Sequence, residues 1–213
     1  MAQARATQQQ FSKALDNASY DEILKDRQKL NIAKAMSKVL YADNCQACHQ
    51  AGGAGIVGQY PNLADNDWLW GGDFNQIETT IREGRVGMMP GFKGRLSSAQ
   101  LDDVSEYVLS LSKHEVDKVM AQRGQAVFMG DGGCYACHTK EGSGNMSIGA
   151  ANLTDSIWTL AQVQHSRDAE TKRQTVRTIV ETGVNRKMPA WKDRFSATEI
   201  KVMTLYVYEL SGK

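Results

Sequence analysis

The sequence predicts an all-α fold built from two tandem copies of one unit. Three observations predict it: an internal repeat, helix signals at matching places in both copies, and no segment that alternates like a strand over a useful length. Cys45-Gln-Ala-Cys48-His49 aligns with Cys134-Tyr-Ala-Cys137-His138 at an offset of 89. "NLADNDW" (62–68) aligns with "NLTDSIW" (152–158) at 90, and "MPGF" (89–92) with "MPAW" (188–191) at 99. The growth by nine places an insertion in the second copy, within "HSRDAETKR" (165–173). The 213 residues suit two domains of roughly 100 residues. They are expected at 30–113 and 114–213, behind a polar, helical extension over 1–29 whose first ten residues are expected to be mobile.

Each copy opens with a helix. Leu30, Ala33, Ser37 and Leu40 share a face in the first, and Val116, Val119, Met120, Arg123 and Val127 lie near one face in the second. A middle helix is expected around 74–84 and again around 173–182, each ending on a glycine, Gly84 and Gly183. Each copy closes with a helix behind a capping box, Ser97-x-x-Gln100 and Ser196-x-x-Glu199. Apolar residues follow in steps of three and four, at Leu101, Val104, Tyr107/Val108 and Leu111, then at Ile200, Met203, Tyr206/Val207 and Leu210. Such spacing makes one buried stripe per helix. The rest is glycine-rich loop, and the copies join near "SKHEVDK" (112–118).

Lysine plus arginine (25) nearly balances aspartate plus glutamate (24), and a net charge of +1 gives no case for nucleic acid or an anionic membrane surface. No run of 18 apolar residues occurs, so the sequence as given contains no membrane-spanning helix. Its N-terminal stretch lacks the apolar core of a secretory signal.

All four cysteines, and two of the four histidines, lie in the two pentapeptides. A disulfide framework fits poorly, because two intervening residues close no useful loop and neither copy has a third cysteine. A thioredoxin-like site wants a βαβ setting that is missing. A structural zinc site wants a second pair of ligands in each copy. Covalent haem attachment uses every residue of C-x-x-C-H: two thiols on one helical face for the porphyrin vinyl groups, and a histidine that reaches the iron. The sixth ligand is expected from Met89-Pro90 and Met188-Pro189, which recur once per copy, with proline fixing the local backbone. His/Met ligation raises the reduction potential and closes the coordination sphere, which suits electron transfer.

Other residues read more plainly. Met36, Met120, Met129 and Met203 read as core filler, and Met146 as a loop residue. Met88 competes with Met89, but only Met89 matches the repeat. His114 reads as a solvated linker residue. His165, in the insertion, reads as a surface residue, with bis-histidine ligation the minority reading. Trp68 and Trp158 recur at matching places and read as core packing against a haem edge, while Asn62/Asn152 and Asp65/Asp155 read as turn residues. Arg82, Arg85, Arg177 and Arg186 are of the type suited to haem propionates.

These residues resemble a family: the dihaem cytochrome c subunit of cbb3-type cytochrome c oxidases. The resemblance covers roughly residues 15–213 and rests on both C-x-x-C-H motifs, "YPNLADNDWLWGG" (60–72), "IREGRVGMMPGF" (81–92) and "GQAVFMGDGGCYACHTKEGSGN" (124–145). It implies two tandem class I cytochrome c-like domains, each wrapping one covalently attached haem c. Cys45, Cys48, His49 and Met89 would serve the first haem, and Cys134, Cys137, His138 and Met188 the second. It further implies a non-catalytic electron relay on the periplasmic side of the bacterial inner membrane. Electrons would come from a periplasmic donor cytochrome c and pass to a monohaem cytochrome c subunit and the oxygen-reducing catalytic subunit. Family members begin with membrane-spanning helices. The sequence as given has none, so it is expected to be a soluble part without its anchor, or else a free-standing soluble dihaem carrier. Rivals from other classes are a dihaem peroxidase and a gas-binding haem module. The insertion in the second copy leads us to expect two haems of different potential.

Overall fold

The computed structural model describes residues 13–161, 163–166 and 168–212, apart from the side chain of His165. The expectations for the first ten residues and for the His165 side chain fall outside what is described. The short helix α1 (Tyr20–Lys25) precedes the long α2 (Arg27–Asn44), which leads into α3 (Gln46–His49). After a long loop come α4 (Phe74–Glu83), strand β1 (Arg85–Met89) and α5 (Ser98–Leu111). The second copy repeats the order with α6 (Lys118–Met129), α7 (Tyr135–His138), α8 (Ala169–Thr182), β2 (Val184–Met188) and α9 (Ala197–Leu210).

Local chemistry explains the helix starts. Ser97 accepts from the Gln100 N–H while the Gln100 side chain accepts from the Ser97 N–H, and Ser196 with Glu199 does the same. Asp73 with Gln76, and Ser19 with Glu22, close two further capping boxes. The "SYDE" pattern at 19–22 was thus a readable helix signal within the supposedly polar extension. The inserted residues of the second copy lengthen the middle helix, so α8 has 14 residues where α4 has 10.

The expectation of an all-α chain needs correction, because the molecule is helix-rich but holds a two-stranded antiparallel sheet. β1 pairs with β2 with Arg85 opposite Met188, Gly87 opposite Arg186 and Met89 opposite Val184. The strands are five residues each and lie 99 residues apart, so neither a long alternation nor a hairpin turn announces them. Their pairing is symmetric about the Gly87–Arg186 pair.

Through these strands the chain passes from one packing unit to the other and back. One apolar cluster joins Phe92, Leu96, the inner face of α5, Val127 and Phe128 of α6, Val163, and Val176 and Val180 of α8. A second joins Tyr41 of α2 and Ile77 and Ile81 of α4 to Ile200, Met203 and Val207 of α9. The inner unit is therefore the continuous stretch 89–183. The outer unit combines 13–84 with 188–212. The closing helix of each sequence copy packs against the other copy, so the expected units 30–113 and 114–213 are units of sequence similarity and not of packing.

Helix α5 is buried well beyond its expected stripe, because α6 and α8 cover it from two sides. Asp103 and Glu106 are buried on it and paired. Arg123 of α6 donates to both Asp103 oxygens, at 2.8 and 2.7 Å, and the Asp117 N–H donates to Glu106 at 3.0 Å. A Cβ at Gly124 would lie 1.9 Å from the Asp103 carbonyl oxygen, so glycine is what lets α6 approach this closely. The opening face of α6 is also displaced from expectation: Ala121, Gly124, Val127 and Phe128 are buried, while Val119 is exposed. Of the methionines read as core, Met203 is fully buried, whereas Met129 is 37% exposed.

The outer unit carries a third cluster of its own. Leu15, Ala18 and Ile23, from the extension, pack with Ala33, Val202 and Leu205. Each fully buried aliphatic side chain of this kind stabilises by about 1.5–3 kcal/mol.

Candidate haem-attachment sites

Both pentapeptides fold as a single helical turn that ends abruptly after the histidine. Gln50 (φ 62°) and Thr139 (φ 65°) adopt left-handed backbone at the same place in each copy. A non-glycine residue there is strained, and the same strain recurs at the same place in both copies. The four cysteines are free thiols. Burial, and then the neighbouring Cys48, pushes the Cys45 thiol up to about 11. Cys134 is likewise pushed up to about 11, chiefly by burial.

The histidines are prepared in the same way twice. His49 Nδ1 lies 3.2 Å from the Pro61 carbonyl oxygen, and His138 Nδ1 lies 2.9 Å from that of Ala151. A carbonyl only accepts, so Nδ1 carries the proton and Nε2 presents a lone pair. Burial lowers both imidazoles below the usual histidine range and keeps them neutral. A ring anchored through Nδ1–H with Nε2 free is the arrangement in which protein histidines ligate metals. Among the described residues no group of three or more His, Cys, Asp or Glu side chains could hold a metal ion by itself, which disfavours the zinc reading.

The methionines pack across the sequence repeat, unlike the expected pairing. Met188 packs in the outer cluster with Cys45, Leu63 and Trp68. Met89 packs in the inner cluster with Cys134, Leu153 and Trp158. Each Met-Pro therefore sits with the pentapeptide of the other copy. The physical reason lies in backbone packing. Trp191 N–H donates to Ile81 O at 3.1 Å and Phe92 N–H to Val180 O at 3.0 Å, tying each post-methionine loop to the middle helix of the opposite copy. Gly84 (φ 70°) leaves room for Met188-Pro189: an added Cβ would stand 2.4 Å from the Met188 oxygen. Gly183 (φ 73°) does the same for Met89-Pro90, at 2.6 Å from the Met89 oxygen.

Strand geometry also separates Met88 from Met89. Successive side chains point to opposite faces, so Met89 turns inward while Met88 is 77% exposed. Met88 thus points away from the cluster that holds Met89.

The four candidate arginines divide. Arg82 pairs with Glu78, which also accepts from the Tyr20 hydroxyl at 2.6 Å. Arg85 donates to Thr80 Oγ1 at 2.9 Å and lies over the Trp70 ring at 4.8 Å. Arg177 is ion-paired with Asp102 at 3.1 Å and Glu181 at 3.3 Å. Arg186 keeps a buried Nη2 without a hydrogen-bond partner among the described residues, and burial lowers its guanidinium below the usual range. It lies on the inward face of β2, opposite Gly87 of β1. The Trp158 indole N–H is also buried without an acceptor. As expected, Asn62 and Asn152 are turn residues, accepting from Ala64 N–H and Thr154 N–H. Asp65 and Asp155 act alike toward Asp67 and Ile157.

His114 is the residue that the sequence reading missed. Instead of being solvated it is half-buried, with its ring 6.1 Å from that of Trp158. The signal that would have found it is its place just after α5, the helix that roofs the inner unit. That signal is legible only once the exchange of closing helices is known.

Paired free thiols beside a neutral, oriented imidazole, with a methionine in the same apolar cluster, define a cytochrome of the covalent-haem class. Comparison with known proteins specifies it further. The family model described as "Cytochrome C oxidase, cbb3-type, subunit III" matches residues 33–108 and 119–207. The chain is 40% identical over 210 residues to the cbb3-type cytochrome c oxidase subunit FixP of Azorhizobium caulinodans, covering 94% of this chain and 68% of that one. It is 37% identical over 222 residues to the subunit CcoP of Cereibacter sphaeroides, covering 99% of this chain and 71% of that one. The chain belongs to the family of subunit III of cbb3-type cytochrome c oxidases. It is accordingly a cytochrome c component of an oxidase complex of bacterial membranes, carrying covalent haem c, and its two attachment motifs fit two haems. Among the described residues no helix is long and apolar enough to cross a membrane.

Proposed function

We propose that the protein relays electrons through two c-type haems ligated across the sequence repeat. Cys45, Cys48, His49 and Met188 would hold the haem of the outer unit. Cys134, Cys137, His138 and Met89 would hold that of the inner unit. The observation that carries this reading is the shared cluster: the first cysteine of each pentapeptide, Cys134 or Cys45, packs in one apolar cluster with an inward-facing methionine contributed by the other copy. A haem so ligated exchanges single electrons and offers no open coordination site. The peroxidase and gas-binding readings, which need such a site, are disfavoured accordingly, and the protein is read as non-catalytic by itself.

The chain's own groups supply orientation and charge. Pro61 and Ala151 carbonyls fix the imidazoles, and Arg186 and Trp158 offer N–H donors to haem carboxylates. Trp68 and Trp158 each remain in the unit of their own pentapeptide. Electrons would arrive from a periplasmic donor cytochrome c and leave toward the monohaem and catalytic subunits, on the periplasmic side of the inner membrane. An optical redox titration of the purified protein tests this. Two low-spin haems per chain, both unreactive toward carbon monoxide, are expected. One haem per chain, or a carbon monoxide adduct of the native protein, would overturn the reading.

A further inference from the structure

The inner unit contains two buried ring N–H groups that have no acceptor among the described residues. Trp158 Nε1 is one, and His114 Nε2 is the other. The state of His114 follows from its second nitrogen. The Lys172 ammonium of α8 approaches His114 Nδ1 at 3.4 Å. An ammonium only donates, so Nδ1 accepts and the proton of the neutral ring resides on Nε2. Burial and then Lys172 lower the imidazole below the usual range, consistent with a neutral ring. Beside it, Arg173 of α8 is ion-paired with Glu170, Glu106 and Asp102. Two buried donors, on rings 6.1 Å apart, are thus left without an acceptor. Buried donors left without a partner are costly. Both belong to the unit of Cys134 and Met89, since Trp158 packs in that cluster and His114 directly follows α5.

We propose that His114 is a haem-carboxylate ligand: with Trp158 it donates to a propionate of the inner haem, held in that tautomer by Lys172. This rests on the two-haem reading above and adds a residue to it. The outer unit has no equivalent histidine, because the position 99 residues on is Lys213. The relay Lys172–His114–carboxylate partly neutralises negative charge beside the inner iron. It thereby disfavours the ferric state and raises that haem's potential alone.

The test uses the holoprotein, with optical redox titration and resonance Raman scattering in the propionate-bending region. His114→Phe is expected to lower one of the two potentials, by about a tenfold change in the ferric-to-ferrous ratio at fixed potential (about 59 mV for one electron). The other potential should stay put, and one propionate band should shift. His114→Gln, which keeps a donor, should restore most of the potential, and Trp158→Phe should move the same wave. If two normal haems are present and His114→Phe leaves both potentials and the propionate bands unchanged, or moves both potentials equally, the proposal is overturned while the two-haem reading survives. If two low-spin haems are not present in the unsubstituted protein, that reading itself fails.

Discussion

The inner and outer units are built from the same repeated sequence, yet they are held together differently. The outer unit is assembled from two separated stretches and closed by extra chain: Leu15, Ala18 and Ile23 of the extension pack beneath α9. The inner unit is one continuous stretch, and among the described residues no extension packs on it in the same way. Its helices instead meet through backbone contact at Gly124 and through the buried, paired acids of α5. The loops differ as well. The outer unit has Asp67 where the inner unit has Ile157, and the inner unit has His114 beside its tryptophan. Duplication therefore supplied two equal attachment turns, and residues outside those turns made the two sites unequal.

The largest effect on this comparison is expected from the glycines that shelter the Met-Pro turns. Gly183→Ala forces a left-handed residue and sets a Cβ 2.4 Å from the Gly91 nitrogen. It should cost about 4 kcal/mol in unfolding free energy and disturb methionine ligation in the inner unit first. Gly84→Ala should do the same to the outer unit. Chemical denaturation followed at the methionine-to-iron band checks both, and a loss confined to the opposite unit in either case would break the assignment.

Next in size is Ile23→Ala, at about 3 kcal/mol for a fully buried side chain. Amide exchange should quicken in α1, α2 and α9 and stay unchanged in α5 and α6. Equal loosening of both units would show that the third cluster is not private to the outer one.

A smaller effect concerns pH. Burial, with Asp155 and Asp65 nearby, pushes the Asp67 carboxyl up to about 6. A raised carboxyl favours the folded state while protonated, so its contribution is full below about pH 4 and is lost as pH rises past about 6. Asp67→Asn should therefore leave stability at pH 4 nearly unchanged and raise it at pH 7, by on the order of 1 kcal/mol after solvent screening. Thermal unfolding at the two pH values checks this, and an unchanged difference between them would remove Asp67 from the account.

Much of this was legible in the sequence, for physical reasons. The attachment turns, the capping boxes at Ser97 and Ser196, and the glycines ending α4 and α8 are local signals, fixed by neighbours a few residues away. The exchange of closing helices was not legible. Because α5 and α9 carry the same apolar pattern, the repeat says that they are alike and is silent on which partner each covers. The pairing of Met89 with Cys134 went unread for that reason, and the burial of His114 followed from it. The strands escaped because their hydrogen bonds join residues 95 to 103 positions apart (Met89 with Val184, Arg85 with Met188). Met88 and Met89 could have been separated earlier, since period-two alternation sends only one of two neighbours inward.

The central claim is that each iron takes its methionine from the other copy. Its most direct measurement uses a chain carrying only the outer haem, made with Cys134→Ala and Cys137→Ala, and reads the methionine-to-iron absorption band of the ferric protein. Met188→Ala in that background should abolish the band, and Met89→Ala should leave it in place. Loss of the band with Met89→Ala and its survival with Met188→Ala would contradict the account.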